Sequence, residues 1–135
     1  MKSKFSPIEL QTKEWLKKAY DDELNANSIL THRDGTATGV CLLSQQMAEK
    51  YLKAFLVFKK QWFPRIHALD KLAEVCSEID KSFGGLKDDA SFLNVFYTPA
   101  RYPADFPEFF WPDAEKAFSA AKRIKKFVLS KIELE

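Results

Sequence analysis

Glycine and histidine are both scarce in this chain, with four Gly and two His among 135 residues. None of the glycines falls in the spacing of a dinucleotide-binding fingerprint or a P-loop, which excludes a glycine-rich phosphate cradle. Neither His32 nor His67 has a carboxylate three residues before it, so the Glu-x-x-His pairs that helical bundles use for metals are missing. The two cysteines, Cys41 and Cys76, form no CxxC and lie in separate helical segments. They read as free, buried thiols of a reducing cytosol rather than as zinc ligands or a disulfide. No structural metal and no cofactor are expected.

Long apolar runs are absent too. Nothing approaches the roughly 20 residues that cross a bilayer, and the basic start Met1 to Phe5 leads into no apolar stretch of the kind a secretory signal needs. A cytoplasmic protein without a membrane partner is the expectation. Charge of one sign is also lacking: 21 Lys and Arg against 19 Asp and Glu give +2, too balanced for a nucleic-acid coat protein. Local basic clusters do occur, at Lys13, Lys17 and Lys18 and at Lys122, Arg123, Lys125 and Lys126. Solvated helix faces account for them; a phosphate-binding role is the alternative.

What is present is a pattern of helices with clear stops. The composition, 46% hydrophobic and 30% charged, is that of an ordinary globular protein, and the length suits one domain over residues 1–135. Ser6-Pro7-Ile8-Glu9 is a capping box with Pro at the first helical position. The helix it opens runs to about Leu30, with Leu16, Ala19, Tyr20, Leu24, Ala26 and Ile29 as its apolar stripe, and Asp34-Gly35-Thr36 breaks it. A second helix spans about Thr38 to Lys60, ended by Trp62-Phe63-Pro64. A third, about His67 to Lys81, carries Leu69, Leu72, Ala73, Cys76 and Ile79 and stops at Gly84-Gly85.

A shorter helix from Lys87 to about Tyr97 presents Phe92, Leu93 and Phe96. The segment with Pro99, Pro103 and Pro107 is irregular but rich in aromatics, and Pro112 opens a last helix with Ala117, Phe118, Ala121, Ile124, Val128 and Ile132 inward. Strict strand alternation is missing throughout. The fold expected is all-α, an up-and-down antiparallel bundle of four long helices plus one shorter helix.

Two clusters carry the candidate chemistry. On the second helix, Gln46, Glu49, Lys50 and Lys53 follow i, i+3, i+4, i+7 spacing and share one arc, opposite the apolar face of Val40, Leu43, Met47, Tyr51, Ala54, Phe55 and Phe58. Such a stripe is a solvated strip, or it lines a groove, interface or binding site. The other cluster is Tyr97-Thr98-Pro99-Ala100-Arg101-Tyr102-Pro103, where Arg101 sits among aromatics and prolines. An arginine held by rigid neighbours binds a carboxylate or phosphate through two parallel hydrogen bonds, so Arg101 pairs with Glu49 across helices or takes a ligand. His67, placed near a helix start, reads first as a capping or core histidine and second as a general base. The aromatics from Phe106 to Trp111 read as core cover or an oligomer contact, with base stacking the alternative.

These residues together resemble the HEPN domain family (higher eukaryotes and prokaryotes nucleotide-binding). The resemblance spans nearly the whole chain. It rests on Trp15 with Ala19, Leu24 and Ala26, then Gln45/Gln46, Glu49-Lys50, Leu52-Lys53-Ala54 and Leu56. His67-Ala68-Leu69 with Leu72 follows, and then Tyr97 with Arg101-Tyr102-Pro103. It implies an up-and-down bundle, often a homodimer, associated with nucleotide or RNA chemistry and often paired with a small nucleotidyltransferase in toxin–antitoxin-like gene pairs. Ribonucleases of the family resemble one another in an Arg followed four to six residues later by His. Here Arg65 and His67 have one residue between them and no His follows Arg101, so the chain is similar to the non-nuclease branch.

The leading expectation is therefore a small homodimeric binding module, taking a nucleotide or a nucleotidyltransferase partner. Its contacts are Gln46, Glu49, Lys50, Lys53, Arg101, Tyr97, Tyr102 and His67, and no catalytic residue is assigned. RNA is the less favoured ligand. The alternatives are a metal-independent endoribonuclease toxin using His67 and Arg101, and a purely structural interaction bundle.

Overall fold

The computed structural model describes residues 5–61, 63, 65–97 and 108–134, and these form helices with no strand among them. The first, α1, spans Pro7–His32 and starts on the capping box: Ser6 Oγ accepts from the Glu9 amide at 3.2 Å while Glu9 Oε1 accepts from the Ser6 amide at 3.4 Å. α2 spans Ala37–Phe58, capped by Thr36 Oγ1, which accepts from the Gly39 amide at 2.9 Å. α3 is Leu69–Ile79, a 3₁₀ helix covers Lys81–Leu86, α4 is Lys87–Asn94 and α5 is Trp111–Lys131. At the start of α5 the Asp113 carboxylate accepts from the Phe110 amide at 2.9 Å.

α2 is the centre of the bundle and packs against α1, α3, α4 and α5. Its side chains Met47, Ala48, Leu52, Phe55 and Leu56 are fully buried, and Phe83 from the 3₁₀ helix packs at a tilt against Phe55 and edge to face against Phe127 of α5. α1 runs antiparallel to α2, since Asp22 meets Lys50 and Trp15 lies near Lys53. It runs antiparallel to α5 as well, because Arg33 meets Glu115 and Glu23 meets Lys125. A half-buried network ties these three helices: Tyr51 of α2 donates its hydroxyl to Glu23 at 3.1 Å, and Lys125 of α5 meets the same carboxylate at 2.8 Å. Burial, then the neighbouring Glu23 charge, pushes the Tyr51 phenol well above its ordinary range. The two thiols are buried and form no disulfide, and burial pushes both up to about 12.

Several boundaries and faces differ from the sequence reading, each for a local reason. α1 runs past Leu30 to His32 and is capped by Arg33 in the left-handed conformation (φ 57), before the Asp34-Gly35-Thr36 turn. α2 ends in a Schellman motif: Lys60 takes φ 58, its amide bonds Val57 O at 2.9 Å, and the Gln61 amide bonds Leu56 O at 2.9 Å. Gly84 and Gly85 do not stop α3; they lie inside the 3₁₀ helix with no positive φ. α3 instead yields at Asp80, whose extended backbone lets its carboxylate cap the Ser82 amide at 3.0 Å.

Tyr20 and Leu24, expected inside, are both 48% exposed. The stripe of α1 that is buried repeats every seven residues at Thr12, Ala19 and Ala26, and turns Tyr20 and Leu24 outward. Ile79 and Phe92 are likewise exposed, each at the edge of a short helix that covers only part of α2.

Candidate functional site

The polar residues of α2 divide between its two flanks. On the α1 side, Lys50 Nζ bonds the Asp22 carboxylate. On the other side, Glu49 gathers three donors. Its Oε2 accepts from Lys53 Nζ at 2.9 Å and from His67 Nδ1 at 3.0 Å, and its Oε1 accepts from Gln45 Nε2 at 3.3 Å. Gln45 also donates to the His67 backbone carbonyl at 3.1 Å, so one buried amide fixes both the carboxylate and the chain that carries the ring. Gln46 is exposed and makes no hydrogen bond among the described residues. The stripe is thus a buried ion pair beside a half-buried one, and both lysines already hold a carboxylate.

Lys53 is 6% exposed, which would strand its charge without Glu49. Its ammonium also lies 5.7 Å from the Trp15 ring and 5.6 Å from the Phe63 ring, so aromatic faces line the rest of its surroundings. Trp15 and Phe63 meet edge to face at 6.1 Å.

His67 does not cap α3 and is not in the core. The helix begins two residues later, where Asn94 Oδ1 of α4 accepts the Leu69 amide at 3.0 Å, and the His67 side chain is 51% exposed. An ionised carboxylate only accepts, so the bond to Glu49 places a proton on Nδ1 and leaves Nε2 without a partner among the described residues. The Tyr97 ring stacks on the imidazole at 5.4 Å with an interplanar angle of 19°, and is itself 39% exposed. The structure therefore brings together Glu49, Lys53, His67 and Tyr97. It adds Gln45, which is buried one helical step from the exposed Gln46. Arg101, Tyr102 and the proposed Arg101–Glu49 pairing lie outside the described residues, as does Phe106.

Of the remaining aromatic run, Phe109 packs edge to face on Phe96 at 4.8 Å and its amide bonds Thr38 Oγ1 at 3.0 Å, whereas Phe110 is 68% exposed. Among the described residues no three His, Cys, Asp or Glu side chains group as a metal would need, and no helix is long and apolar enough to cross a membrane.

Fold and cluster define a small helical-bundle domain with one carboxylate-held histidine at its surface. The HEPN domain family matches residues 12–132, and the chain belongs to that family. Among solved structures it is similar to ST0689, an archaeal HEPN homologue, at 29% identity and a TM-score of 0.72, over 90% of this chain and 98% of that one. It is also similar to TT1696 from Thermus thermophilus, at 26% identity and a TM-score of 0.78 over the same shares. No curated protein matches it.

Proposed function

We propose that this HEPN domain is a homodimeric binding module that takes a nucleotide at the His67 edge. In the same reading it serves as accessory partner to a minimal nucleotidyltransferase in a toxin–antitoxin-like pair. One observation carries the ligand part: Glu49 holds the imidazole by Nδ1, and Lys53 and Gln45 hold Glu49, while Nε2 has no hydrogen-bond partner among the described residues and the Tyr97 ring is partly exposed. A pre-oriented ring nitrogen suits a phosphate oxygen or a ribose hydroxyl, and an exposed stacked ring suits a base. Lys53 supports the site from within its ion pair rather than as a free phosphate contact, and Lys50, held by Asp22 on the other flank, stands apart from it. Arg101 is the phosphate-binding cation of this reading.

Titrating ATP and GTP by calorimetry and thermal shift tests it. Binding raises the melting temperature of the wild type, and His67→Ala and Arg101→Ala abolish the rise. No rise with the wild type at millimolar nucleotide would sink it.

A second reading, the metal-independent endoribonuclease, draws on the same Glu49–His67 bond, because a carboxylate that orients an imidazole is also how a general base is held. Incubation with total RNA separates the two. Cleavage lost in His67→Ala favours the enzyme, and intact RNA favours the binding module.

A further inference from the structure

The α1/α5 face carries charge and apolar surface that neither the Glu49 cluster nor the core uses. Tyr20 and Leu24 stand one turn apart on α1 and are each 48% exposed; Leu129 on the adjoining part of α5 is 42% exposed. Lys125 joins the two helices, pairing with Glu23 while its ammonium lies 5.5 Å from the Tyr20 ring. Lys122 and Lys126 flank Lys125 on α5, and Lys17 lies one turn before Tyr20 on α1. All three are exposed and none has an ion-pair partner among the described residues. The face is an apolar strip rimmed by unneutralised cations, in a chain whose net charge is only +2.

We infer that this face docks an acidic amphipathic helix of a partner protein, its apolar stripe against Tyr20, Leu24 and Leu129 and its carboxylates against Lys17, Lys122 and Lys126. Two antiparallel helices form the shallow groove such a helix fills. Charge selects the occupant. A second copy of this chain would bring the same lysines against themselves, which disfavours self-association here. Nucleic acid fits less well. Glu23 places a carboxylate in the middle of the strip, Arg33 and Arg123 are each already held by a carboxylate, and exposed leucines gain nothing against a phosphate backbone.

The inference is independent of the nucleotide reading, since it uses neither His67 nor Glu49, and a probe of designed sequence tests it. A helical peptide with leucines at i, i+4 and i+7 flanked by glutamates is titrated into the ¹⁵N-labelled full chain. The same peptide with lysine for glutamate, polyuridylate and phosphatidylserine vesicles run beside it. Support requires that the acidic peptide shift the amides around Tyr20, Leu24 and Leu129 and that rising salt weaken it. Affinity must also fall about ten-fold both in Lys122→Glu/Lys126→Glu and in Leu24→Ser/Leu129→Ser. Equal binding of the lysine peptide, shifts on another face or no binding would overturn it. So would indifference to the leucine substitutions, or tighter binding of RNA or vesicles to the same face.

Discussion

His67 Nδ1 and Glu49 Oε2 lie 3.0 Å apart although 18 residues separate them in the chain. That bond joins the connector before α3 to the middle of α2, and the same carboxylate oxygen also neutralises Lys53, which is nearly buried. One acid therefore does two jobs, orienting an exposed ring and supporting a hidden cation.

The second job sets a stability prediction. Glu49→Leu leaves the Lys53 ammonium without its partner and costs about 3 kcal/mol. Adding Lys53→Met removes the stranded charge and recovers most of that loss. Urea midpoints of wild type, both single variants and the double variant close the cycle. A double variant as unstable as Glu49→Leu alone would show that the cluster is held by something other than this pair.

Ser44 Oγ is buried and has no hydrogen-bond partner among the described residues. Ser44→Ala removes the unmet hydroxyl at almost no change in volume. It is expected to leave stability unchanged or raise it by about 1 kcal/mol, read as a higher midpoint in chemical denaturation.

Asp80 gives a pH signature. Hydrogen bonds from the Ser82 hydroxyl and amide, with a contribution from Lys131 at 3.2 Å, hold its carboxyl at about 2 against an ordinary 3.8. The folded value is depressed, so the stabilisation is present above about pH 4 and is lost as pH falls toward 2. Wild type should melt higher than Asp80→Asn at neutral pH, and the gap between the two should close across that acid window.

Two left-handed residues end the first two helices, and they should respond oppositely to glycine. Lys60 (φ 58) is exposed at the Schellman position, so Lys60→Gly relieves backbone strain and stabilises by about 0.5–1 kcal/mol. Arg33 (φ 57) spends its side chain on Glu115 at 3.2 Å and on the Trp111 ring at 4.1 Å, so Arg33→Gly gains the same relief but loses those contacts to α5. Thermal melts of the two variants, side by side, should move apart.

Cys41 and Cys76, with thiols pushed up to about 12 by burial, should resist a thiol reagent at neutral pH. Labelling then tracks the opening of the bundle, and destabilised variants such as Glu49→Leu should label faster in proportion.

The helices were readable in the sequence because caps and periodicity are local. Ser6 with Glu9 and the apolar run of α2 need no distant partner to be recognised. The face of α1 was harder: Tyr20 and Leu24 are apolar, but what decides their exposure is the placement of α5, which meets α1 through Lys125 and Glu23. The stops were hardest. Arg33 and Lys60 adopt the conformation expected of glycine, while Gly84 and Gly85 sit in a continuing helical turn, so residue type alone pointed the wrong way.

In the candidate site, the sequence placed Glu49 and Lys53 one turn apart but offered no sign that His67 would reach the same oxygen. It also favoured Gln46 over Gln45, a choice of one helical step that only the packing around α2 resolves.

Because α2 is enclosed by the rest of the bundle, neither half of the chain has a finished interior of its own. A fragment ending after α2 would leave Leu52, Phe55 and Leu56 bare on the side that α3, α5 and Phe83 cover. The amides in the middle of α2 should then be the last to exchange with solvent, released only when the whole domain comes apart at once.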